Sequence, residues 1–142
     1  MQASGDVRQV STLGVSIAGQ NWLVDMADIS EVLPVQAMTA VPLSKAWVKG
    51  ITNVRGNLYC VADIADYFKL GRASGNPDNR LLLTAGQYAF NAAFVVDKVL
   101  GLRDTRAWHQ DQFQYIDEQN GVWHKLDIEN LLVQPDFLQI GV

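Results

Sequence analysis

Apolar and polar positions alternate near the start of the chain: Leu13, Val15 and Ile17 are apolar, whereas Gly14, Ser16 and Ala18 between them are small or polar. A period of two is the pattern of a half-buried strand. Gly19-Gln20-Asn21 supplies a turn and Trp22 to Asp25 a second strand, so the fold opens on a hairpin. Residues 1–11 are polar and aperiodic, and read as a flexible N-terminal tail. Met26 to Glu31 suits one helical turn or a strand extension, and Pro34 ends regular structure. Val35 to Ala46, with Thr39, Pro42 and Ser44, reads as a long loop.

The next stretch, WVKGITNVRGNLYCVADIADYFKL from Trp47 to Leu70, carries the clearest pattern. Trp47 and Lys49 read as exposed. The apolar run Ile51 to Val54 meets Arg55-Gly56-Asn57 and is followed by a second run, Leu58 to Ala62, which predicts a β-hairpin. Asp63 has the short acceptor side chain that caps a helix predicted to reach Leu70, with Gly71 as its stop. Arg55 then projects from the hairpin tip.

GRASGNPDN, residues 71–79, cannot hold a strand or helix and reads as a linker between two halves. Beyond it the pattern gives a strand at Arg80 to Thr84, a turn at Gly86-Gln87, and a long strand region from Tyr88 to Leu102 broken near Asn91 and Asp97. Trp108 to Gln112 reads as loop. Phe113 to Ile116 pairs with Val122 to Leu126, and Asp127 caps a last helix through Leu132, which stops before Pro135 and leaves residues 136–142 as a C-terminal tail. Val61-Ala62-Asp63-Ile64 with Tyr67-Phe68 is echoed by Lys125-Leu126-Asp127-Ile128 with Leu131-Leu132, an echo of strand, cap and helix that duplication or chance would both give. Two sets of about five short strands would close into small barrels that share a core.

Composition narrows the function. At 142 residues, 49% hydrophobic, the chain can bury about 70% of its unfolded surface in one domain, 12–135. A net charge of −4 with scattered basic residues argues against nucleic acid. The lone Cys60 cannot form an internal disulfide, no apolar run reaches 18 residues, and the N-terminus lacks an apolar core. These point to the cytoplasm without direct membrane insertion.

Trp47, Gly50, Asn53-Val54-Arg55-Gly56, then Asp63 and Ile64, resemble the signature of the CheW-like domain, the adaptor module of bacterial chemosensory arrays. The resemblance extends over Leu13 to Leu132. It takes in Ile29, Glu31 and Val32, Arg80 with its aliphatic run, Phe94-Val95-Val96-Asp97-Lys98-Val99 and the Leu126-Asp127-Ile128 ending. It implies a mostly β fold of two small five-stranded barrels, no catalysis and no cofactor. The implied partners are a CheA-type histidine kinase and the cytoplasmic tip of a methyl-accepting chemoreceptor. Ile29, Val32 and Val54 are candidates for an apolar groove that receives a helix, with Arg55 and Glu31 at its rim, and Asn53 and Gly56 are further candidates for receptor or kinase binding. Cys60, where the family often has proline, and Leu23, where it has glycine, depart from the pattern. Trp22, Trp47 and the LDIENLL ending resemble the type IV pilus twitching branch more than the flagellar one. A kinase inhibitor or receptor competitor of the same family is the alternative.

His109 and His124 are the only histidines, and neither HExxH, CxxC nor GxSxG spacing is present. GRASG leads into NPDN, not a helix start, so a phosphate cradle is not formed there. A ligand-binding or nucleic-acid-binding small barrel suits the strands but not the acidic balance.

Overall fold

The computed structural model describes residues 12–88, 90–111 and 113–138. The tail expected at 1–11 and the residues after 138 lie outside them. In order come β1 (Thr12–Ile17), β2 (Gln20–Asp25), a 3-10 turn (Met26–Asp28), β3 (Ile29–Pro34), β4 (Val48–Val54), β5 (Asn57–Asp63) and α1 (Ile64–Tyr67). Then follow β6 (Arg80–Thr84), β7 (Ala92–Val96), β8 (Lys98–Arg103), β9 (His109–Asp111), β10 (Gln114–Ile116), β11 (Val122–Leu126), α2 (Ile128–Leu132) and α3 (Pro135–Leu138). The mostly β, two-lobed architecture is the expected one, with a six-stranded sheet, β8-β1-β2-β11-β10-β9, and a five-stranded sheet, β3-β6-β7-β5-β4. The sixth strand is β9, in a stretch expected to be loop.

The halves do not form one sheet each. Residues 71–79 join α1 to β6, and α1 follows β5 of the same sheet as β6, so this segment is not a link between lobes. Instead each half places its first hairpin in one sheet and its remaining strands in the other. β3 leaves β1 and β2 to pair with β6, and β8 leaves β6 and β7 to pair with β1. β11 runs parallel to β2, and β5 parallel to β7. Without β9, the two sheets share one strand order: third of one half, first and second of the other, fifth and fourth of the first. The repeat seen as strand, Asp cap and helix therefore has a structural counterpart, Asp63 before α1 and Asp127 before α2.

One apolar cluster unites the sheets, with Val15, Ile17, Val24 and Leu126 from one, Ala62, Leu82, Phe94 and Val96 from the other, and Ile64, Ile128 and Phe137 from the helices. Trp47 belongs to this core at 8% exposure, contrary to its exposed reading. Its ring meets Tyr67 edge-on at 5.0 Å and lies 4.6 Å from Phe137. That contact also corrects the C-terminal boundary, since residues 135–138 form a helical turn whose Phe137 is fully buried, where a tail was expected from 136. The first helix stops at Tyr67, not Leu70, because Lys69 turns left-handed at φ 60°.

Crossings between sheets are pinned by carboxylates. Asp97, between β7 and β8, accepts from the Ala18 N–H at 2.7 Å and from the Ser74 N–H at 2.7 Å. Asp28, between β2 and β3, accepts from the Tyr88 hydroxyl at 2.6 Å. Burial, then this bond, pushes the Tyr88 phenol from 10.0 up to about 12. The folded state thus holds that proton more tightly than the unfolded chain. The associated stability is complete below the ordinary phenol value of about 10 and is lost as pH rises toward the folded value. Urea midpoints measured at about pH 9 and about pH 11.5 should fall in the native protein, and fall less in Tyr88→Phe, which has no proton to lose.

Candidate functional site

The hairpin β4–β5 builds the candidate site. Its two-residue turn needs positive φ at both positions, and Arg55 (φ 50°) and Gly56 (φ 91°) supply it. The Asn53 side-chain oxygen accepts from the Gly56 N–H at 2.8 Å, which fixes the turn. β4 alternates strictly, with Gly50, Thr52 and Val54 inward and Lys49, Ile51 and Asn53 outward. Thr52 donates its hydroxyl to the Ala37 carbonyl at 2.9 Å, and Thr39 and Ile51 exchange two backbone hydrogen bonds of 2.8 Å. The long loop is thereby held against β4. Gly50 permits this, since a Cβ there would stand 2.5 Å from the Thr39 carbonyl oxygen.

Arg55 projects into solvent with its side chain 67% exposed, and its guanidinium pairs with the Glu31 carboxylate on β3. The sequence marked both residues, and the fold brings them together across 24 positions. An exposed pair of this kind contributes little to stability, so its effect is to orient the arginine. The expected groove is not formed by the residues named for it. Ile29 is 6% exposed in the shared core and Val54 5% exposed in the interior of the five-stranded sheet, and Val32 is half-buried against the core. Strand alternation told which residues share a face, but the pairing of β3 with β6 decides which face is inside.

The exposed apolar side chains of this hairpin are ones not anticipated. Leu58, directly opposite Asn53, is 60% exposed, and with Ile51 and Met38 it lines a recess of about 300 Å³ bordered by Asn53 and Thr39. With Val54 inward, period two puts Ile51 on the outer face. The remaining chemical candidates are scattered. Cys60 is half-buried and burial pushes its thiol up. His109 is exposed on β9, whereas His124 lies over the Trp22 ring at 5.0 Å. Among the described residues, no three His, Cys, Asp or Glu side chains gather where a metal could be held, and no helix is long and apolar enough to cross a membrane.

Comparison with known proteins agrees with this architecture. The CheW-like domain matches residues 11–134. Protein PilI of Pseudomonas aeruginosa is 30% identical over 97 residues, covering 68% of this chain and 54% of that protein. Protein FrzA of Myxococcus xanthus is 33% identical over 81 residues, covering 56% of this chain and 49% of that protein. Chemotaxis protein CheW of Thermotoga maritima is 27% identical over 96 residues, 68% of this chain and 62% of that one. The chain thus spans about half the length of the first two relatives. Among solved structures, the scaffolding protein TtCheW from Thermoanaerobacter tengcongensis superposes with a TM-score of 0.71 at 21% identity, covering 88% of this chain and 93% of that one, a likeness of fold. With the match running from the first strand to the second helix, the chain belongs to the CheW-like domain family, a family of scaffold and adaptor proteins.

Proposed function

We propose that this protein is a non-enzymatic adaptor that couples a methyl-accepting chemoreceptor to a CheA-type histidine kinase, in a pathway of the type IV pilus kind. The observation that carries the reading is the hairpin, which holds an exposed, oriented guanidinium at its tip and the exposed apolar side chains of Ile51 and Leu58 on its strands. An apolar helix face bearing a carboxylate complements that pair of features, and a receptor's cytoplasmic tip is helical. Ile51, Leu58 and Met38 take the role first given to Ile29 and Val54. The pilus assignment is supported by the likeness to PilI and the cytoplasmic location by the sequence reading.

Reconstitution of kinase, receptor and this protein tests the proposal. Kinase autophosphorylation is expected to rise several-fold when all three are present. Suppression instead would identify a competitor or inhibitor, and no change with either partner would remove the adaptor reading.

A further inference from the structure

Neither half of this chain owns a complete sheet. Among the described residues, 12–70 retain among themselves the hairpins β1–β2 and β4–β5 with the Thr39–Ile51 bridge, and 80–138 retain β6–β7 and the β9–β10–β11 meander. An isolated hairpin is marginal in water. The four ladders that complete the sheets, β1–β8, β2–β11, β3–β6 and β5–β7, all join one half to the other. So do the grips of Asp97 on Ala18 and of Tyr88 on Asp28.

The covalent connection between the halves is by contrast one largely exposed segment, residues 71–79. It is held to the halves by hydrogen bonds from the Ala73 N–H to Asp63 at 2.9 Å and from the Ser74 N–H to Asp97 at 2.7 Å, with Ala73 packed on the smaller apolar cluster and the Ser74 hydroxyl 2.9 Å from the buried Asn79 side chain. Asp63 belongs to the first half and Asp97 to the second. Neither bond requires that the two halves belong to the same polypeptide.

We infer that this architecture fits a second copy of the chain as partner, through reciprocal exchange of halves. Residues 12–70 of one copy pack on residues 80–138 of the other, and all four ladders are remade, because the surfaces are those the monomer already uses. Only the course of residues 71–79 differs. The balance is then set by concentration, since a short linker holds the halves at an effective concentration on the order of millimolar. Interconversion requires opening all four ladders, so each form persists once folded. The exchanged dimer carries two copies of the Arg55 hairpin.

The test uses the full chain in two versions with different epitope tags, unfolded together in guanidinium and refolded at about 1 mM and at about 1 μM. The expected product at high concentration is a soluble species of twice the mass that carries both tags and survives dilution; at low concentration it is monomer. Monomer or precipitate at both concentrations would overturn the inference. So would a double-mass species that dissociates on simple dilution, which is the mark of surface contact. A second measurement addresses the complementary halves directly, with a protease site inserted between the exposed Gly75 and Asn76 and cut after folding. The fragments are expected to co-elute with native near-UV circular dichroism, and their separation without denaturant would refute the inference.

Discussion

Replacing Arg55 by glycine is expected to weaken binding of the helical partner by about 30-fold, the equivalent of about 2 kcal/mol, while thermal stability stays within about 1 kcal/mol of the native protein. The two effects separate because Arg55 is in the left-handed region at φ 50°, where a side chain is strained and glycine is not. Its side chain is 67% exposed and meets the partly exposed Glu31 carboxylate, so the fold loses little when it is removed. A charge that is tolerated at some cost to the turn has its use outside the fold. Titration calorimetry against a receptor-tip fragment, paired with a thermal melt, measures both quantities on one sample. Unchanged affinity would move the site away from the hairpin tip. A large drop in melting temperature would show instead that the arginine holds the structure together.

Asp63→Ala should be far more damaging to the fold, at about 3 kcal/mol. Asp63 is 0% exposed. One carboxylate oxygen accepts from the Ala65 and Asp66 N–H groups at 3.2 and 3.4 Å, and the other from the Ala73 N–H at 2.9 Å. Truncation therefore removes a helix cap, worth about 1 kcal/mol, and leaves a further backbone donor and a buried void unsatisfied. Asp127 occupies the matching place in the second half but is exposed and accepts one bond, from the Asn130 N–H at 3.1 Å. Asp127→Ala is expected to cost only about 1 kcal/mol when both variants are unfolded in urea. Equal losses at the two positions would mean that capping alone matters and that the grip on residue 73 contributes nothing.

Much of this fold was legible in the sequence because its signals are local. Period-two alternation and the Asn53-Val54-Arg55-Gly56 turn located β4 and β5, and the Asp residues located both caps. What escaped was decided at long range. Trp47 reads as a surface residue until Phe137, ninety positions later, folds against it. The three polar residues of β9 carry no strand pattern and are held by pairing to β10. Ile29 and Val54 were assigned to a surface because alternation leaves inside and outside undetermined until a partner strand is present. The sequence singles out Arg55 and Glu31 as charges, whereas their pairing and the exposure of Leu58 come only with the fold.

The parallel pairing of β2 with β11 also has a consequence for how the chain is made. Asn21 waits for Trp123, about 100 residues later, so at ribosomal speed β2 spends about 5–20 s without its neighbour. Until β8 emerges the β1–β2 hairpin is bare at both edges, and until β11 emerges at one, so a holdase chaperone would find its natural substrate there. Native structure can arrive only after the last strand has left the exit tunnel.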